Sequence, residues 1–207
     1  MDTGSRPPDF NAFWTAVARF LLKLFGWAAE GAVPNLPKCV VVAAPHTSNW
    51  DGLILVVASF ALRVRLLWIG KHTLFRPPFG WLMRVFGGVP INRSTTKNAV
   101  EQVAQTFSER ERMVLVIAPE GTRKKVKHWR TGFYYIALAS NIPLVLGYLD
   151  YNRKRAGLGP VIYPSGNIEA DMEQIRAFYA PIIGRHPERM SPITLAPTAP
   201  EKPAADA

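Results

Sequence analysis

Short apolar runs of strand length alternate along this chain with segments of helical period, and that alternation limits the possible folds more than any other feature. Residues 39–43, 66–70, 87–93, 113–118 and 142–150 read as strands. Residues 50–62, 96–112 and 132–140 read as the helices between them, with 168–180 as a last helix. Residues 157–164 suggest a hairpin arm or short strand, and 79–86 a short apolar helix or turn. The alternation predicts an α/β fold, a mixed, mostly parallel sheet flanked by helices. No linker divides the chain, and 207 residues suit one domain. The expected organisation is an N-terminal amphipathic segment over 1–30, the domain over 31–190 and a proline- and alanine-rich disordered tail over 191–207.

The first of these strands runs into Pro45-His46-Thr47-Ser48-Asn49-Trp50-Asp51 before a new apolar run begins. This is a strand-turn-helix transition with a titratable pair at the bend. In open α/β sheets, binding crevices form outside the carboxyl ends of strands. A carboxylate on Nδ1–H of His46 would fix the tautomer and leave Nε2 to take a proton from an alcohol. A substrate hydroxyl can stand where a serine stands in hydrolases. The plainer reading makes both residues loop and cap residues, since Asp is favoured near helix starts.

Other strand ends carry related groups. The third run ends at Arg93, the fourth leads to Glu120 and Arg123, and Lys71 follows the second. If these strands are parallel neighbours, their loops share one rim, and a rim with a His-Asp pair and several cations suits a phosphate-bearing alcohol. Singly, Arg93 reads as a strand-end surface residue. Glu120 reads as a turn residue or a partner that holds the arginines, and Lys124, Lys125 and Lys127 read as a solvated face.

The net charge of +10 favours anionic partners: nucleic acid, acidic lipid headgroups or phosphorylated substrates. No recognition helix or RNA-binding motif supports a nucleic-acid partner. No Gly-x-Ser-x-Gly elbow supports a serine hydrolase, and no glycine loop of the nucleotide-binding kinds is present. His46, His72, His128 and His186 lack metal-ligand spacing, so no metal is expected. Cys39 stands alone in a strand and reads as structural. No stretch predicts a spanning helix, and the early Asp2 and Asp9 do not fit a signal peptide. Phe10, Phe13, Trp14, Val17, Phe20, Leu21 and Leu24 form a helical stripe with Arg19 and Lys23 off it. That helix either packs on the domain or lays its aromatic face in a bilayer interface. Trp81 and Phe86 are a second candidate for lipid contact, or core.

Four blocks together carry a resemblance. His46-Thr47-Ser48-Asn49-Trp50-Asp51, Gly88-Val89-Pro90-Ile91-Asn92-Arg93, Pro119-Glu120-Gly121-Thr122-Arg123 and Ile142-Pro143-Leu144-Val145 resemble, in order and interval, the blocks of the glycerolipid acyltransferases. The resemblance implies a glycerol-3-phosphate acyltransferase-like fold. It also implies transfer of a fatty acyl group from acyl-CoA or acyl-carrier protein to the hydroxyl of a lysophospholipid, with 1-acyl-sn-glycerol-3-phosphate as the leading acceptor. No cofactor beyond that thioester co-substrate is implied. His46 matches the general base and Asp51 its orienting partner. Lys71, Arg93, Glu120, Gly121, Thr122 and Arg123 match substrate-binding positions. Backbone N–H groups near the helix start or at Gly121 are the expected oxyanion donors. The enzyme is expected as a peripheral or monotopic protein on the cytoplasmic face of the cell membrane. Lys124, Leu146 and Trp129-Arg130-Thr131-Gly132 depart from the family pattern around the expected acceptor and lipid contacts, and leave the acceptor as the open variable. The alternatives are an acyltransferase for another polar lipid, a non-catalytic module for anionic lipid, and a hydrolase using the same pair on water.

Overall fold

The computed structural model describes residues 11–31, 34–78, 80–85, 87–91 and 96–197. Seven strands form one sheet: β1 (Ala28–Glu30), β2 (Lys38–Ala44), β3 (Leu66–Lys71), β4 (Gly88–Ile91), β5 (Met113–Ile117), β6 (Leu144–Asp150) and β7 (Arg155–Ile162). Their spatial order is β1-β7-β6-β2-β5-β3-β4. The strands β6, β2, β5, β3 and β4 run parallel to one another, while β7 runs antiparallel to β6 and carries β1 parallel to itself. The carboxyl ends of five strands therefore lie on one rim, as a mostly parallel sheet requires. The segment expected as a hairpin arm is β7, and the short run before it is the β6–β7 turn.

Helices α1 (Ala12–Leu24), α2 (Asn49–Ala61), α3 (Gly80–Val85), α4 (Thr96–Ser108), α5 (Gly132–Ala139) and α6 (Ile168–Tyr179) cover the sheet. The strands β2, β5 and β6 are nearly continuous runs of Val, Leu, Ile and Ala because both of their faces are covered. Phe107, Tyr134, Phe133, Leu115, Leu144 and Leu146 are the bulkiest wholly buried side chains of the main core. Cys39 is a buried free thiol, as its place in a strand suggests.

Helix α1 packs on the domain, but not through its aromatic stripe. Thr15, Ala18 and Leu22 are buried, and Ala18 and Leu22 pack with Trp27 against Ala58 and Ala61 of α2. The large residues of the stripe, Phe13, Trp14, Phe20, Leu21 and Leu24, are exposed, and so is Phe25. Small residues let two helices approach closely, so the small face takes the helix contact and the aromatic face is left outside. On α2, Trp50, Leu53 and Val56 are exposed as well. Trp81 is exposed, while Phe86 lies outside the described residues. No helix among the described residues is long and apolar enough to cross a membrane.

Two further expectations meet a different outcome. Residues 191–197, placed in a disordered tail, lie against the domain: the Val126 N–H donates to Ser191 Oγ and the Trp129 N–H to the Thr194 carbonyl. Ile193 and Leu195 pack on the main core, so apolar contact and backbone bonds order a stretch that composition alone marks as loose. The departures at Leu146 and Trp129 are core residues too. Leu146 is wholly buried in β6, and Trp129 packs edge-on against Phe133 and Tyr179.

Candidate active site

At the carboxyl end of β2 the chain turns through Pro45 to Ser48 and starts α2. Ser48 is the helix N-cap, accepting from the Trp50 N–H at 3.2 Å, and Asp51 completes a capping box from the third helical position. The same carboxylate meets His46: Nδ1 of the imidazole lies 3.1 Å from Asp51 Oδ2. The cap reading of Asp51 holds, and the same carboxylate is also placed against the His46 imidazole. The cap is the device that aims the carboxylate at the histidine.

Asp51 is unusually well supported. Its Oδ2 also accepts the Thr47 and Ser48 N–H groups at 2.8 Å each. Its Oδ1 accepts the hydroxyl of Tyr151 at 2.7 Å. Burial raises the carboxyl, but the bonds from His46, Tyr151, Ser48 and Thr47 outweigh it and hold the group below its ordinary value. The side chain of Asp51 is 5% exposed and that of His46 29%, so the carboxylate is walled in while the imidazole reaches the cavity.

Tyr151 carries no signal in the four sequence blocks. It follows Asp150, the last residue of β6, and so arrives on the same rim as His46. A strand-end rule applied to β6 would have pointed to it. Its own hydroxyl is raised by burial and by the bond to Asp51. Tyr151→Phe removes one donor from Asp51 and leaves the ring in place against Trp27. The expected result is a fall in kcat of about tenfold to a hundredfold, with substrate KM values unchanged, the size of one hydrogen bond to a charged group. A rise in KM with unchanged kcat would place Tyr151 against substrate instead.

Glu120, expected to contact substrate or hold the arginines, is 3% exposed and turned inward. Its Oε1 accepts the His46 N–H at 3.1 Å, while Oε2 is buried without a partner in the protein. It therefore anchors the catalytic loop from below. Burial pushes its carboxyl up to about 7, against the opposing bonds of its own backbone and of His46 and the charge of His46. A carboxyl raised from 4.5 to about 7 on folding contributes stability that is full below the lower value and lost as pH rises through the upper one. Glu120→Gln keeps an oxygen for the His46 N–H and cannot ionise. It is expected to flatten the decline in unfolding free energy between about pH 5 and pH 8, by at most about 3 kcal/mol. Urea denaturation at the two pH values checks this.

A cavity of about 520 Å3 opens beside His46 and Asp51. Gly121, Thr122 and Arg123 share its wall with them, and Leu55, Trp68, Ile69, Val116 and Leu149 make it largely apolar. Gly121 sits at φ +64°, where a side chain would also press on Arg130. Arg123 is fixed at the mouth by donating to Asn49 Oδ1. Lys71 ends β3 on this rim, but its side chain and Arg93 lie outside the described residues. Several of the backbone N–H groups expected as oxyanion donors are already engaged. The N–H groups of Thr47, Ser48 and Trp50 serve the cap, and that of Gly121 donates to Ala118 O at 3.0 Å. Among the described residues no group of three or more His, Cys, Asp or Glu side chains is placed to hold a metal ion.

Known proteins resemble the chain in sequence and fold. A 1-acyl-sn-glycerol-3-phosphate acyltransferase of Haemophilus influenzae is 27% identical over 135 residues, covering 60% of this chain and 55% of the relative. A protein of the same name from Streptococcus pneumoniae is 26% identical over 115 residues, covering 51% of this chain and 42% of the relative. The chain thus spans about half the length of the curated relatives it matches. The crystal structure of the 1-acyl-sn-glycerophosphate (LPA) acyltransferase PlsC from Thermotoga maritima shares the fold, with a TM-score of 0.59 at 18% identity over 80% of this chain and 75% of that one. The model of the Acyltransferase family matches residues 32–146, more than half of the chain and all four blocks, and the chain belongs to that family.

Proposed function

We propose that the protein is an O-acyltransferase that moves a fatty acyl group from a thioester to the free hydroxyl of a lysophospholipid, with 1-acyl-sn-glycerol-3-phosphate as the acceptor. The observation that carries this reading is the His46–Asp51 pair at the mouth of a largely apolar cavity that also presents Arg123. The imidazole, held through Nδ1, takes the acceptor's hydroxyl proton on Nε2 as the oxygen attacks the thioester carbonyl. The charge of Asp51 stabilises the imidazolium that forms. The thiolate leaves, and the proton on His46 neutralises it. Thr122 and Arg123, on the cavity wall beside His46, are the side chains placed to receive the oxyanion. The apolar wall suits an acyl chain.

The same chemistry requires access to a lipid surface. The exposed aromatic face of α1 and the net positive charge fit peripheral binding to an anionic bilayer, at the face where acyl thioesters are made. Serine at Phe13, Phe20 and Leu24 together leaves the buried Thr15, Ala18 and Leu22 intact. It is expected to cut co-sedimentation with phosphatidylglycerol vesicles by about tenfold or more while the melting temperature holds. Undiminished sedimentation would remove α1 from the membrane contact.

The function itself is tested by thiol release from acyl-CoA or acyl-carrier protein against a panel of lysolipids. Release that depends on lysophosphatidate is the expected result. Release dependent on another polar lipid would change the acceptor, release without any acceptor would make the protein a hydrolase, and lipid binding without release a non-catalytic module.

A further inference from the structure

A second cavity, of about 310 Å3, lies against the other side of the loop that carries His46. Ser48, Asn49, Arg123, Arg185, His186 and Arg189 line it. Arg123 is common to this cavity and to the apolar one beside the His-Asp pair. Arg185 and Arg189 come from the segment after α6, beyond the residues that the family model matches, so no family block assigns them a task.

Three guanidinium groups meet here, and Glu188 offsets part of their charge: its Oε1 lies 3.7 Å from Arg189 Nε and 3.4 Å from His186 Nδ1. Like charges gathered in one concavity repel unless an anion joins them. The scaffold nonetheless holds them there. Arg185 lies over the Trp50 ring at 5.5 Å, and Arg123 is tied to Asn49. The His186 N–H donates to Thr47 Oγ1 at 3.2 Å, and the Ile183 carbonyl accepts the Tyr151 N–H at 2.9 Å. Gly184 passes so close to Thr47 that an added Cβ would lie 3.0 Å from its hydroxyl oxygen. The C-terminal segment is thus fastened to the catalytic loop at several points and presents forked donors in fixed positions. That is the arrangement suited to a tetrahedral oxyanion such as phosphate.

We propose that this second cavity is a phosphate subsite that takes the phosphate of one of the two substrates, the handle of the acyl donor or the headgroup of the acceptor. The identity of the substrate rests on the acyl-transfer reading above, whereas the phosphate chemistry does not. Both substrates bring a phosphate to the same dyad, and a subsite sharing Arg123 with the acyl cavity would fix one of them within reach of His46.

The test uses the full chain and the exposed pair Arg185→Gln and Arg189→Gln made together, with Arg185→Lys and Arg189→Lys as a charge-retaining control. Adenosine 3′,5′-bisphosphate, which carries the phosphate pattern of coenzyme A, and glycerol 3-phosphate are titrated calorimetrically, and KM is measured for acyl-CoA and for lysophosphatidate. Wild type is expected to bind one probe. The glutamine pair should weaken it by about tenfold or more and raise the KM of the matching substrate alike, with partial recovery in the lysine pair. A shift with the bisphosphate and acyl-CoA assigns the donor, and one with glycerol 3-phosphate and lysophosphatidate assigns the acceptor. Neither probe binding wild type, or equal binding by the glutamine pair, would overturn the subsite. So would a loss confined to acyl-carrier protein, which would give these cations to an acidic protein surface. Arginine-dependent probe binding without any thioester turnover would instead sink the acyl-transfer reading and leave the subsite standing.

Discussion

Replacement of His46 by alanine is expected to abolish acceptor-dependent thiol release, lowering kcat by about 10^3-fold or more while the KM for the thioester stays unchanged. General-base catalysis contributes about 10^2–10^4-fold in such reactions, and the dyad has no second base to take over. The neighbouring carboxylate, Asp51, keeps its donors from Thr47, Ser48 and Tyr151 when the imidazole is removed. The fold should survive, because the structural bond at this position belongs to the His46 backbone, whose N–H donates to Glu120 whatever the side chain is. Thiol release and a thermal melt on one preparation check both halves. Retained turnover would remove His46 from the chemistry, and a collapsed melt would show the imidazole to be structural.

Asp51→Asn is expected to cost nearly as much activity, about 10^2-fold or more, and some stability besides. Asparagine offers one carbonyl oxygen where the carboxylate offers two. With that oxygen toward His46, Thr47 and Ser48, the amide NH2 faces Tyr151, whose hydroxyl can then accept. Cap and ring orientation survive, but the negative charge that favours the forming imidazolium is gone. With the amide reversed, its hydrogens meet the Thr47 and Ser48 N–H groups, and the cap is lost at about 1–2 kcal/mol. The pH dependence separates the two effects. Because folding lowers the Asp51 carboxyl below 3.8, its contribution to stability is present above that value and lost as pH falls through the lower folded one. The asparagine variant should lack that acid decline. A variant with unaltered kcat would show that the carboxylate only caps the helix.

The parallel core of the fold and the shared rim were legible in the sequence because β2, β5 and β6 are covered on both faces and read as unbroken apolar runs. Their polar successors then had to lie together. Strand β1 was not legible. Its three residues have no pattern of their own and pair only with β7, brought alongside by the chain. On α1, a stripe of large apolar residues is the usual mark of the inward face, yet Thr15, Ala18 and Leu22, off that stripe, make the contact. Tertiary approach distance decided that, and no count of apolar residues contains it. Within the site, the spacing of His46 and Asp51 allowed a pair across the strand-turn-helix bend but left the cap reading open beside it, and the one carboxylate makes both contacts. Glu120 was visible but its direction was not, because a turn residue before glycine reads the same whether it points to solvent or beneath the loop. Tyr151 reaches Asp51 from about one hundred residues away, and no local spacing encodes that approach.

Direct attack by an activated hydroxyl, without an acyl-enzyme, is the central claim, and intact-protein mass spectrometry tests it most directly. The protein is mixed with excess acyl-CoA, first without acceptor and then with lysophosphatidate, and quenched over the first turnovers. The account predicts an unchanged protein mass and intact thioester in the first mixture, and acylated lipid with stoichiometric free thiol in the second. A protein heavier by one acyl group, or thiol released before any lysolipid is added, would contradict it.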